Sequence, residues 1–349
     1  MAATIRDIAQ RCGLSVSAVS KALNGYSDVS DATREAVRRA ARELDYHPNA
    51  HARALKAGRS YNLGVLFSDD TQSGLTHPFF SVVLEHFKQE AEARGYDITF
   101  IGHRMGSGRV TYLDHCRYRE VDGVCVACTD FTEEEVLRLV RSDIPLVTID
   151  HGFDGKSCVF SDNEEGMRQL VRHVYGLGHR RVAYIHGNDS AVTRHRLKAF
   201  RETAEELGFT PSPEYCMQGK YTEPDTVYAA ARVLLSLPQR PTCVLVCDDY
   251  AGLGVFRAAA ECGLRIPEDL SVAGFDGISQ MQSFYPRLTT VYQNAPLIGR
   301  ESARLLISGI ENEGGPRSVC IPVRLVPGET VTPPAGRASI VSSTAEDAV

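Results

Sequence analysis

The sequence predicts two structural classes in one chain: a small all-α head over residues 1–48 and an α/β body of two lobes built on parallel sheets. Three observations carry this. Helical spacing with capping residues recurs three times before residue 45. From residue 62 onward, short apolar runs alternate with amphipathic segments of helical length. Charge divides at the same place. The first 60 residues hold ten Lys/Arg against six Asp/Glu, a net +4, and the other 289 hold 28 against 38, a net −10. The total of −6 therefore conceals a basic head on an acidic body, so it does not exclude a nucleic-acid partner.

Length and composition agree. At ~100–200 residues per domain, 349 residues make two or three domains, and a 43% hydrophobic fraction excludes a mostly disordered chain. No apolar run approaches the ~18–20 residues that cross a bilayer, and the N-terminus lacks a signal-like apolar stretch. A cytoplasmic location without membrane contact is expected, with the ten Cys as reduced thiols.

In the head, Thr4 caps a first helix with Asp7 as its capping-box acid; Ile5, Ile8, Ala9 and Cys12 make the inward face and Gly13 ends it. Ser15 opens a second helix with Ala18, Val19, Ala22 and Leu23 inward, stopped by Asn24-Gly25. Ser30 or Asp31 starts a third, with Ala36, Val37, Ala40 and Leu44 inward and Arg34, Arg38, Arg39 and Arg42 outward. Helix, short Gly turn, helix is the helix-turn-helix layout, whose second helix enters the major groove. Val16, Ser17 and Lys21 face outward there. Lys21 suits guanine O6/N7, Val16 a thymine methyl, and Ser17 either base type. On these residues alone, a three-helix subdomain with no DNA role stays open.

His47 to Gly58 forms a distinct segment. Pro48 breaks the preceding helix, Asn49 can cap a new one and Gly58 ends it. Eight residues make a marginal helix in water, where ~12–15 are needed. One reading is a linker with an incidental Leu55. The other is a hinge over residues 49–61 that folds on DNA and drives Leu55 between minor-groove base steps.

Thr4-Ile5-Arg6-Asp7-Ile8-Ala9, Gly13-Leu14-Ser15-Val16-Ser17, Val19 to Gly25 and Tyr46 to Leu55 together resemble the lactose-repressor (LacI/GalR) family of bacterial transcription regulators. That resemblance implies base reading by Val16, Ser17 and Lys21, and a minor-groove hinge of Leu55 with Asn49, Ala52 and Arg53. Ser20, Asn24, Thr33 and Tyr46 are assigned to the DNA backbone. Cys12 stands where Ala is more usual.

The body reads as strands at Leu63–Phe67, Ile98–Ile101, Val121–Ala127, Leu146–Ile149, Val182–Ile185, Val244–Cys247 and Leu270–Phe275. Helices are expected at 79–94, 132–141, 164–177, 196–207, 224–237, 250–262 and 296–311. Ligands bind beyond the carboxyl ends of such strands. There stand Ser68-Asp69-Asp70, His77 to Phe80, Asp150-His151, Asn188, Arg194, Arg196, Tyr221, Asp248-Asp249 and Asp276. Carboxylates, guanidinium and aromatics at one edge suit a sugar or similar polyol. Asp249, just ahead of the 250–262 helix, reads instead as a helix cap or turn former.

The family resemblance continues through Pro78-Phe79-Phe80, Ser161-Asp162-Asn163, Leu177 to Ile185, Ser271 to Asp276 and Pro286 to Val291. It implies a periplasmic-binding-protein-like core over 62–332 with three crossovers, near 161–163, 291–294 and 320–323. Lobe 1 takes 62–161 plus 293–320 and lobe 2 takes 162–290 plus 321–332, ahead of a disordered tail over 333–349. Phe79, Phe80, Arg196, Tyr221, Asp248 and Asp276 are the implied effector contacts, with His77 and Asp150 beside them. His77 replaces a commoner Asn, Asp248 stands where Asn is frequent, and Gly277 where an acid is common.

Cys125-Val-Ala-Cys128 matches C-x-x-C spacing, but it lies in an expected buried strand without a second pair, so the thiols read as core. HExxH, GxSxG, GxGxxG and Walker patterns are lacking, and neither catalysis, a metal nor a cofactor is expected. The expectation is a repressor, not an enzyme, that binds a pseudo-palindromic double-stranded operator as a homodimer under a small-molecule effector, a sugar first. A purine or phosphoprotein corepressor, a sugar transport component and a carbohydrate-processing enzyme are the rivals.

Overall fold

The structure, a computed structural model, describes residues 3–23, 26–46, 58–68 and 73–334. Asn24, Asn49, Ala52, Arg53, Leu55, Asp69, Asp70 and the tail from 335 lie outside the described residues. The chain divides into two compact units, residues 1–61 and 62–349.

The first unit holds α1 (Ile5–Cys12), α2 (Val16–Leu23) and α3 (Asp31–Glu43). The Thr4 N–H donates to Asp7 Oδ2 at 2.7 Å, which opens α1. Gly13 at φ 65° closes it, and the Leu14 N–H reaches back to the Ala9 carbonyl. Ser15 accepts from the Ala18 N–H at the start of α2. Ser30, rather than Asp31, caps α3 by accepting from Thr33 N–H. Ile8, Ala9, Val19, Ala22, Val37 and Ala40 form the core, at helical spacing on all three helices. Arg34 departs from the expected outward row. Its guanidinium turns back to donate to the Tyr26 and Val29 carbonyls, satisfying acceptors in the loop before α3.

The second unit holds two six-stranded sheets. The first lobe runs β1 (Asn62–Phe67), α4 (Phe80–Ala93), β2 (Asp97–Ile101), a small hairpin of β3 (Arg104–Met105) and β4 (Gly108–Arg109), then α5 (Tyr112–Tyr118). It continues through β5 (Gly123–Cys128), α6 (Glu134–Val140), β6 (Leu146–Ile149) and β7 (Ser157–Ser161). The second lobe has α7 (Asn163–Gly176), β8 (Val182–His186), α8 (Ala191–Glu206), β9 (Cys216–Gln218) and α9 (Pro224–Ser236). After these come β10 (Cys243–Val246), α10 (Leu253–Glu261), β11 (Ser271–Asp276), α11 (Ser279–Gln282) and β12 (Thr289–Tyr292). The chain then returns as α12 (Ala295–Ile310), which packs on α4, and ends in β13 (Ser318–Ile321) and β14 (Arg324–Val326).

The sheet orders are β13-β7-β6-β5-β1-β2 and β14-β12-β11-β10-β8-β9. Every pair in both is parallel except β12 with the edge strand β14. The chain crosses between sheets three times: after Ser161, after Tyr292 and after Ile321. Close approach of α12 to α4 needs Gly299, where a Cβ would sit 2.2 Å from the Val83 carbonyl oxygen. Val124, Val147, Val244 and Val272 are fully buried on central strands; each such side chain stabilises the fold by ~1.5–3 kcal/mol.

Helix α8 begins at Ala191, five residues before the expected start, because Ser190 caps it by accepting from Thr193 N–H. Helix α10 begins at Leu253, not 250, and the expected Asp249 cap is wrong. Asp248 Oδ1 takes the Ala251 N–H at 2.7 Å. Asp249 faces the neighbouring strands instead, accepting from Thr290 Oγ1 and from the Gly277 and Ile278 N–H groups.

Candidate functional site

In the head, Val16 is 43% exposed and Ser17 is exposed, both in the first turn of α2. Lys21 is also on that helix, but its ammonium is paired with Asp28 in the loop before α3. The pair raises the Lys21 pKa and lowers that of Asp28. The sequence placed Lys21 outward, able to donate to guanine; in this unit its ammonium rests on Asp28. Ser20 is partly buried. The Thr33 hydroxyl is 2.8 Å from Ser30 Oγ, inside the α3 cap, and Tyr46 packs against the head core.

In the second unit a cavity of about 480 Å³ lies between the lobes, within the ~300–1,000 Å³ of small-molecule sites. The strand ends build it, as parallel sheets dictate. Lobe 1 supplies residues after β1, β5 and β6; lobe 2 supplies residues after β8, β9 and β10, Asp276 at the end of β11, and Gln293 after β12. His77, Phe79, Phe80, Asp150, Arg196, Tyr221, Asp248 and Asp276 all line it. Eight positions spread over 200 residues of sequence thus meet in one place.

One wall is aromatic. His77, Phe79 and Phe80 pack edge-to-face, with centroids 5.1 Å apart for His77–Phe80 and 5.4 Å for Phe79–Phe80. His77 Nδ1 also accepts from the Phe79 and Phe80 N–H groups, opening α4. Beside them Phe131 stacks on His151 at 4.5 Å.

On the lobe 2 side the cavity centres on Arg196, only 3% exposed. Its Nε donates to Asn163 Oδ1 at 2.7 Å and Nη1 to the Cys247 carbonyl at 2.8 Å, while its plane lies 3.5 Å from the Phe275 ring centroid. Burial pushes the carboxyl pKa values of Asp150, Asp248 and Asp276 up, and Arg196 opposes the rise at each. The two Asp248 oxygens accept from Ala251 N–H and Thr222 N–H, so Asp248 holds the Tyr221 loop in place as well as lining the cavity. Asp150 and Asp276 both have positive φ, 60° and 115°, unusual for residues bearing a Cβ.

Tyr221 is placed by two residues that sequence reasoning missed. Its hydroxyl is 2.9 Å from Thr193 Oγ1, which itself donates to the Asn188 carbonyl. Its ring lies over Gly187, where a Cβ would come within 2.1 Å of Cε2. Asn163 and Gln293, at two of the crossovers, were missed as well. The run Ser161-Asp162-Asn163 entered with the family resemblance, at the first expected crossover, but nothing in spacing showed that the Asn163 amide would meet Arg196.

Comparisons with known proteins settle the family. Residues 4–49 match bacterial regulatory proteins of the lacI family, and residues 171–331 match a periplasmic binding protein-like domain. The HTH-type transcriptional repressor PurR of Haemophilus influenzae (strain ATCC 51907 / DSM 11121 / KW20 / Rd) is 30% identical over 315 residues, 89% of this chain and 92% of PurR. The chain belongs to the LacI family.

PurR of Vibrio vulnificus (strain CMCP6) is 33% identical over 318 residues, 89% of this chain and 93% of that protein. A lac repressor dimer bound to operator and the anti-inducer ONPF superposes with a TM-score of 0.79 at 26% identity, covering 95% of this chain and 100% of that one. A complex of the transcriptional regulator CelR with cellobiose gives 0.69 at 28% identity, covering 94% and 99%. As a LacI-family member the protein is a DNA-binding transcription regulator with a helix-turn-helix head and a two-lobed core. No helix among the described residues is long and apolar enough to cross a membrane.

Proposed function

We propose that the protein is a cytoplasmic repressor that reads a pseudo-palindromic operator as a homodimer, and that a sugar held between the core lobes sets its DNA affinity. In this reading Val16, Ser17 and Lys21 meet base edges, and Ser20, Asn24, Thr33 and Tyr46 hold the backbone. The hinge places Leu55 in the minor groove, with Asn49, Ala52 and Arg53 beside it. The observation that carries the effector reading is the placement of Arg196. A buried guanidinium and three carboxylates line the same cavity as an aromatic cluster, so hydroxyl groups find donors and acceptors while the C–H face of a ring finds Phe79, Phe80 and His151. The cellobiose of the CelR structure supports the same reading.

Exposed apolar side chains support the homodimer. Phe284 and Tyr285, after β11, are 64% and 91% exposed, and Leu75, after β1, is exposed too. Large exposed apolar groups of this kind suit burial against a second copy of the chain. A sugar changes DNA affinity only by binding the two lobe arrangements unequally, and the crossovers pass that difference toward the head.

Selection of duplexes from a random library by the full chain tests the DNA half. It should return a two-fold-symmetric site. Anisotropy on that duplex with D-glucose, D-galactose, D-ribose, cellobiose and hypoxanthine tests the effector half. A response to hypoxanthine alone would transfer the site to purines, and chemical conversion of a sugar would make the protein an enzyme.

A further inference from the structure

A second cavity, of about 500 Å³, lies in lobe 2 and shares no lining residue with the one between the lobes. It falls in the same ~300–1,000 Å³ range of small-molecule sites. Helix α8 forms one side through Arg201 and Glu205, and the loop after it a second through Pro211 and Pro213. Strand β8 and the edge strand β9 close the third with His186 and Cys216.

These walls are fixed. Gly208 at φ 76° ends α8, and the Phe209 N–H donates to the Ala204 carbonyl at 3.0 Å. The 3-10 turn Pro213–Tyr215 follows, tied down by the Tyr215 hydroxyl on the Gln239 carbonyl. Cys216 then pairs opposite Tyr184.

Within that frame the charges are uncommitted. Arg201 and Glu205 are exposed and one turn apart on α8, yet neither is ion-paired with the other or with another described residue. Base before acid at i, i+4 is the weaker order for pairing on a helix. Burial pushes the Cys216 thiol up, and the Arg201 guanidinium beside it opposes the rise. His186 Nδ1 is 2.9 Å from the Gly187 carbonyl. A carbonyl only accepts, so Nδ1 carries the proton and Nε2 is left as an acceptor.

A plain anion here meets Glu205 and a plain cation meets Arg201. A molecule with both charges on neighbouring carbons suits both. We propose that this cavity is a second ligand site, for a free α-amino acid: Arg201 takes the carboxylate, Glu205 and His186 Nε2 take the ammonium, and Pro211 and Pro213 offer the side chain an apolar rim. The site does not depend on the sugar reading of the other cavity. Two of its walls nevertheless run to that cavity. Strand β8 ends at His186, directly before Gly187, and β9 leads through Gly219 to Tyr221, whose ring lies over Gly187.

Calorimetric titration of the full chain with each of the protein L-amino acids tests the site, and wild type should bind at least one. For that amino acid, Arg201→Met and Glu205→Gln should each lower affinity at least ~10-fold. Both variants should melt, ligand-free, within about 2 °C of wild type, because both side chains are exposed and without an ion partner. The same molecule lacking its amino group, or lacking its carboxylate, should bind at least ~10-fold more weakly. Bound amino acid should also slow iodoacetamide alkylation of Cys216, read by mass spectrometry, and leave that of the exposed Cys262 unchanged. Failure of every amino acid to bind would overturn the proposal. So would wild-type affinity in both variants with Cys216 unprotected, which would put the ligand elsewhere. Equal affinity for the amine-free analogue would make this an anion site and overturn the amino-acid assignment.

Discussion

Replacing Gly187 by Ala tests Tyr221 as a ligand contact without touching a ligand-facing side chain. The new Cβ would lie 2.1 Å from Tyr221 Cε2, 2.5 Å from Cδ2 and 2.6 Å from Cζ. Carbon atoms rest at ~3.5–4 Å, so the ring must retreat by more than about 1 Å. Its open side is the cavity it lines. That retreat breaks the 2.9 Å contact with Thr193 Oγ1, worth ~0.5–1.5 kcal/mol, on top of an overpacking cost of ~1–3 kcal/mol. The expected result is a melting temperature several degrees lower, with the fold intact and the ring displaced into ligand space. Sugar affinity, by calorimetric titration, should fall more than ~10-fold, the effect of ~1.4 kcal/mol. DNA affinity without sugar should stay within about twofold of wild type, since the substitution lies in the core unit. A Gly187→Ala protein that binds sugar as wild type does would refute the assignment of Tyr221.

Three other outcomes follow from the same geometry. Arg196→Met strands Asn163 Oδ1 and the Cys247 carbonyl and removes the countercharge of the three Asp residues. It should cost ~3–5 kcal/mol in denaturant unfolding and abolish the sugar-induced melting shift; a retained shift would remove Arg196 from the site. Asp28→Asn frees Lys21, so the selected duplex should bind several-fold tighter in anisotropy, whereas unchanged affinity would mean the pair does not compete with DNA. His179 is fully buried, with Nε2 on the Thr332 carbonyl and Nδ1 on Thr242 Oγ1, both at 2.9 Å, and burial holds its pKa below the ordinary value. A lowered folded-state pKa makes its contribution complete above ~6.5 and lost as pH falls below that. Melting between pH 7.5 and 5.5 should decline less in His179→Gln than in wild type; equal slopes would exclude His179 as a source of the pH dependence.

The head was legible in near-complete form because its signals are local. Thr4 with Asp7, Gly13 and Ser15 each act within a few residues, and Ile8, Val19 and Val37 mark the core by spacing alone. What was not legible there is the Lys21–Asp28 pair, which depends on how a loop folds back. In the core, strand ends located the cavity, since parallel sheets put chemistry at one edge. Short strands such as Cys216–Gln218 and Arg324–Val326 carry too few residues to show periodicity and went unseen. Asp248 and Asp249 are adjacent and chemically identical, so the sequence offered no means of telling which one caps the turn and which one braces β12. Gly187, Thr193 and Gln293 act through contacts with residues 17 to 34 positions away, and no local pattern encodes them.

The central claim is that occupancy of the inter-lobe cavity changes how the protein holds DNA. Its most direct test is the affinity of the full chain for its selected duplex, measured by anisotropy with and without a saturating sugar. Wild type should shift its affinity at least ~10-fold, a coupling of about 1.4 kcal/mol, and Arg196→Met should bind the duplex but show no shift. An unchanged duplex affinity at a sugar concentration that fully protects the core against melting would contradict the account.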